Sequence, residues 1–297
     1  MIDGSWLILR VAGLVLAFQA AGAAIFVVLF GRRLTRSTSV IQRVGLRAAL
    51  GALAVLVAQA LFEPLHLAGD VSGLADAALL RLFLGSSAAA ALLVRLAGIA
   101  CVAWGLRRCT PRSQPLAVIG ALATLSSFVL TGHTTVHPQR PLLASLLLLH
   151  LTVVAFWFGS LWPLRQLIAL EAPAQAARTL GAFSALALWL VPVVALAGAG
   201  MAALLLPDVA ALAQPYGLLL LGKLALFALL MGLAALNRLR LTPALARGAA
   251  AAPAHLRRSI AFEYALICAV LALTALMTGS FSPEDAARAA DASPRLG

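Results

Sequence analysis

An all-α bundle of about eight membrane-spanning helices is expected from this sequence on three grounds. Apolar residues make up 63% of the 297-residue chain and charged residues only 11%, against ~25% charged in an ordinary soluble domain. The apolar residues fall in runs of roughly 20, the length that crosses a hydrocarbon core as a helix. Nearly all the arginines lie in the short gaps between those runs. So much apolar surface does not fit inside one water-soluble core; most of it must face lipid or other spans.

The runs can be taken in order. Run one covers about 5–30, run two 48–68, run three 83–106 and run four 115–132. Run five covers about 141–164, run six 180–206, run seven 215–237 and run eight 259–278. The opening MIDGSW carries an acid and no basic stretch, and run one is too long for a signal-peptide core, so it reads as a true span. The runs divide into a membrane bundle over 1–114 (about three spans), a second over 115–278 (about five spans) and a polar tail over 279–297.

The net charge of +12 is spread over the gaps rather than gathered in one patch, which argues against nucleic acid as a partner. The gap after run one holds Arg32, Arg33, Arg36, Arg43 and Arg47; the gap after run three holds Arg107, Arg108 and Arg112. The gap after run five holds Arg165 and Arg178; that after run seven holds Arg238, Arg240, Arg247, Arg257 and Arg258. The alternate gaps hold only Arg81 and Arg140. The positive-inside rule puts the arginine-rich gaps in the cytoplasm and both termini in the periplasm of a bacterial inner membrane.

Polar groups inside or beside a span are costly and mark candidate sites. His150 sits about nine residues into run five, roughly 14 Å from its outer end. It reads either as a histidine bonded to a backbone carbonyl or as a metal or haem ligand. His133 and His137 end run four, and His66 ends run two beside Glu63 and Asp70, all on the expected periplasmic side. A carboxylate beside an imidazole fixes its tautomer and strengthens it as a ligand. Met201 and Met277, near the outer ends of runs six and eight, offer thioethers suited to copper(I). Arg10, Arg95, Lys223 and Glu263 are intramembrane charges expected to pair, with Arg238 or Arg240 the expected partners of Glu263 and a proton or ion relay the alternative. Cys101, Cys109 and Cys268 form no C-x-x-C pair. The chain has no P-loop, G-x-G-x-x-G, H-E-x-x-H or G-x-S-x-G element, so an enzyme is not expected.

The stretches TGHTTVH and LLLLHLTVVAFWFGSLWPL resemble the copper-resistance D (CopD/PcoD) membrane proteins. So do YGLLLLGKLALFALLMGLAALNRLRLTPAL and LRRSIAFEYALICAVLALTALMT; together they cover about 131–278. The resemblance implies an inner-membrane protein of copper uptake or homeostasis, often acting with a periplasmic copper-binding partner. Its pattern lands on His133, His150, Trp157, Gly159, Lys223, Asn237, Arg238 and Glu263. The chain departs from it in having threonine after His133, Ser160 in place of a second glycine, and no acid in the stretch before His150. The expected function is copper transport, with the ion bound by His133, His137 or His66 and passed to His150. A b-type haem held by two of these histidines, or a non-transporting copper assembly factor, are the alternatives.

Overall fold

A computed structural model of the chain describes residues 2–68, 76–108, 110–131, 137–206 and 210–280. Every regular element among them is helical. The main helices are α1 (Ile2–Phe30), α2 (Thr38–Ala68), α4 (Ser87–Arg108), α6 (Arg140–Leu170), α7 (Pro173–Leu205), α8 (Pro215–Leu236) and α10 (Ala252–Ser280). Shorter ones are α3 (Ala77–Leu84), α5 (Gln114–Ser126, extended by a 3-10 turn to Leu130) and α9 (Thr242–Ala246). A π-helical turn, Asn237–Leu241, joins α8 to α9.

Seven of the described helical stretches are long and apolar enough to cross a membrane. Run four corresponds to the shorter apolar stretch Gln114–Leu130. It returns along α4: Ser113 bonds the Gly105 carbonyl at 3.3 Å, and Arg95 Nε donates to Ser127 Oγ at 2.9 Å. This antiparallel hairpin needs small residues, because a Cβ on Gly98 would stand 2.7 Å from the Gly120 carbonyl oxygen.

Helix α1 is the centre of the bundle and packs on α2, α4, α5, α6 and α10. Its inner face is built of alanine and phenylalanine, with Ala17, Ala20, Ala21, Ala23 and Phe26 wholly buried. Small side chains let α6 approach until Gly22 and Gly159 lie backbone against backbone. At that crossing Gln19 Nε2, itself buried, donates to the Gly159 carbonyl at 3.0 Å.

The arginine-bearing connections gather at one end. Glu171, between α6 and α7, accepts from the α1–α2 connection: Oε1 takes the amides of Thr35 (2.8 Å), Arg36 (2.8 Å) and Ser37 (2.9 Å) and the Ser37 hydroxyl (2.7 Å). The Thr35 hydroxyl donates to Oε2 at 2.5 Å. The start of α2 meets the end of α4, since a Cβ on Gly45 would stand 2.9 Å from Leu106. Arg238, Thr242 and Pro243 share a groove with Gly181 and Ser184 near the start of α7. Burial alone would raise the Glu171 carboxyl, but the bonds from Thr35 and Ser37 outweigh it and hold it down at about 2.

Candidate functional site

Helix α6 carries two of the candidate residues, His150 and Trp157. A continuous apolar helix of 31 residues, opened by Pro141 in its first turn, it holds His150 ten residues, about 15 Å, from its start. There the ring meets α7. His150 Nδ1 lies 3.1 Å from the Val194 carbonyl oxygen, and the ring packs beside Gly198 on α7, where a Cβ would stand 3.4 Å from Cε1. A ring nitrogen facing a carbonyl carries the proton, so Nε2 keeps its lone pair. That is the arrangement in which a histidine typically binds a metal. Lys223 of α8 is close enough to act on His150 electrostatically. Among the described residues Lys223 forms no hydrogen bond or ion pair.

Among the described residues no other histidine is seen to join His150 here. His137 precedes α6, and its Nδ1 accepts the Gln139 amide at 3.1 Å; ten helical residues separate the start of α6 from His150, too far for one ion to bridge both. His66 lies in the last turn of α2. His133 and Asp70 lie outside the described residues. Among the described residues no three of His, Cys, Asp and Glu come together as a metal site. Met277 is buried on α10 and Met201 half-buried near the end of α7.

The intramembrane charges are arranged differently from the expected pairing. Arg10 donates to Thr278 Oγ1 at 3.0 Å and interacts electrostatically with Glu63. Arg95, besides bonding Ser127, stacks its guanidinium 3.8 Å over the Phe128 ring, and Phe128 meets Phe18 edge-on. Glu263, 4% exposed, accepts from Asn237 Nδ2 at 2.5 Å, with the Trp157 indole of α6 close by. Among the described residues neither Arg238 nor Arg240 forms an ion pair with it. The π-turn is the physical reason: it starts at Asn237, the Thr242 amide closing back on the Asn237 carbonyl, and leaves the amide side chain, not an arginine, against α10.

Three of the residues picked out by resemblance, Trp157, Asn237 and Glu263, are thus in contact, although they are far apart in sequence. The partner of His150, a backbone carbonyl, has no signature in the sequence. Gln19, Gln59 and Ser259 are further buried or half-buried polar groups of the spans that patterning passes over, since each sits singly in an apolar run.

Residues 177–277 match the family model of copper resistance protein D. No curated protein and no solved structure matches the chain. The matched segment includes Val194, Gly198, Lys223, Asn237 and Glu263, while His150 and Trp157 lie before it and His150 bonds into it. The chain is therefore a multi-pass membrane protein in which residues 177–277 are similar to copper resistance protein D.

Proposed function

We propose that this protein moves copper across a bacterial inner membrane, with His150 as the intramembrane ligand. The observation that carries the reading is the anchored ring: Nδ1–H donates to the Val194 carbonyl, which leaves the Nε2 lone pair free at a depth of about 15 Å. The match of residues 177–277 to a copper-resistance family supports copper as the metal.

The arginine-rich end is read as cytoplasmic and the hairpin of α4 and α5 as a full return, which makes eight passes with both termini periplasmic. Copper then enters from the periplasmic end, where His66, His133 and His137 offer imidazoles, with a periplasmic copper-binding protein as donor. Met201 and Met277 lie toward the same end and suit copper(I). Lys223, which acts on His150 electrostatically, is a cation that a copper ion must pass.

His150→Ala is expected to abolish the copper accumulation that the wild-type protein confers on cells, measured at equal membrane abundance. His137→Ala, at the entrance, is expected to slow accumulation several-fold without abolishing it. Equal accumulation in wild type and His150→Ala contradicts the reading.

A further inference from the structure

Below His150, Trp157, Glu263, Asn237 and Ser259 form a second polar site. Seven residues of α6, about 10 Å, separate Trp157 from His150 along the axis, toward the arginine-rich end. Glu263 and Ser259 are 4% and 8% exposed and stand four apart on α10, so they share one face. The π-turn brings Asn237 to the same face.

The hydrogen bonding there is incomplete. Asn237 gives its Nδ2 hydrogen to Glu263, and its Oδ1 is buried with no partner. The Ser259 hydroxyl is also buried with no partner. These are two of the four buried side-chain polar atoms without a partner among the described residues, and both fall within one turn of a buried carboxyl. Such orphan groups are costly in the interior and need a ligand or an ordered water.

No cation of the protein answers the carboxyl. The other charged or titratable groups toward this end of the packed elements are Arg165 on α6, Arg238 and Arg240 on the π-turn, Arg247 after α9, and His255, Arg257, Arg258, Tyr264 and Cys268 on α10. Lys223, on α8, and His150 stand toward the opposite end, and the facing part of α1 offers only the uncharged Gln19. Among the described residues none of these forms an ion pair with Glu263.

We propose that Glu263, Asn237 Oδ1 and Ser259 Oγ bind a small monovalent cation, sodium or hydronium. A carboxylate, an amide oxygen and a hydroxyl are hard oxygen donors, the set that such ions take and that copper(I) does not favour. One positive charge neutralises the buried carboxylate and satisfies both orphan oxygens. The site rests on the transport reading only for its role, which is to couple a cation gradient to the copper site through the rigid α6.

The test uses the purified full-length protein with copper excluded, so its outcome is independent of copper binding. Thermal unfolding is followed as choline chloride is replaced by sodium chloride at constant ionic strength, and separately as pH is lowered without sodium. A ligand bound only by the folded state raises the midpoint with its concentration. Expected is a rise of a few degrees in the wild type with one of the two ions, lost in both Glu263→Gln and Ser259→Ala. Response to sodium names sodium; response to acid alone, retained in His255→Ala, names hydronium. Retention of radiolabelled sodium by wild type and its loss in Ser259→Ala, the milder substitution, is a second reading of the sodium case. The proposal is overturned if the wild type responds to neither ion, or if Glu263→Gln and Ser259→Ala respond as the wild type does.

Discussion

Gly159→Ala is expected to destabilise the protein by about 3 kcal/mol or more, although the change adds one methyl group. The Cβ would stand 2.5 Å from Gly22 Cα and 2.8 Å from the Ala23 amide nitrogen. Those are backbone atoms of α1, the helix on which five others pack, so no side chain can swing aside to relieve the clash. The same crossing carries the Gln19–Gly159 bond, and forcing the helices apart would leave the buried amide of Gln19 without its acceptor. Gly181→Ala is the control. Nothing lies within 4 Å of a Cβ there, and alanine favours helix over glycine by about 1 kcal/mol, so the midpoint should hold or rise. Thermal unfolding in detergent checks the pair; opposite signs are expected, and equal shifts would contradict the packing described.

Glu171→Ala is expected to cost about 2–4 kcal/mol, the loss of one anion from three amides and two hydroxyls, discounted for partial contact with water. Loss of the clamp frees the α1–α2 connection from the α6–α7 junction, so proteolysis near Thr35–Ser37 should accelerate together with the fall in stability. The same carboxylate sets a pH dependence. Its folded-state value is depressed to about 2, below the ordinary carboxyl value of ~4.3. The folded state therefore favours the ionised form, and its contribution is fully present above about pH 4.5 and lost as pH falls from there toward 2. Wild type should lose stability through that window more steeply than Glu171→Gln, which already lacks the charge.

Much of the architecture is legible in the sequence because a membrane imposes a simple rule. A stretch must be apolar and about 20 residues long to cross, and arginine is kept to one side. Runs one to three and five to eight accordingly match long helices, with ends that shift by several residues because helices continue past the apolar boundary. Run four is the marginal one: only Gln114–Leu130 is helical, and it holds its place by packing on α4 through Gly98 and Gly120. The partners of the charged groups were not legible. Hydrophobic periodicity cannot say that α8 ends in a π-turn, yet that turn is what gives Glu263 an amide in place of Arg238. Nor can it say that Glu171, one acid among many gap residues, is claimed by three consecutive amides on a distant connection. His150 is visible as an isolated imidazole in an apolar run, whereas its orientation depends on one backbone carbonyl of α7.

The central claim is that His150 holds copper inside the bundle. The most direct measurement is elemental analysis of the purified protein after equilibration with copper(I) under reducing conditions and removal of free metal, with the visible spectrum recorded on the same sample. Wild type should retain copper without a haem Soret band, and His150→Ala should retain markedly less while unfolding at the same temperature. Equal copper in the two proteins, or none in either, contradicts the account.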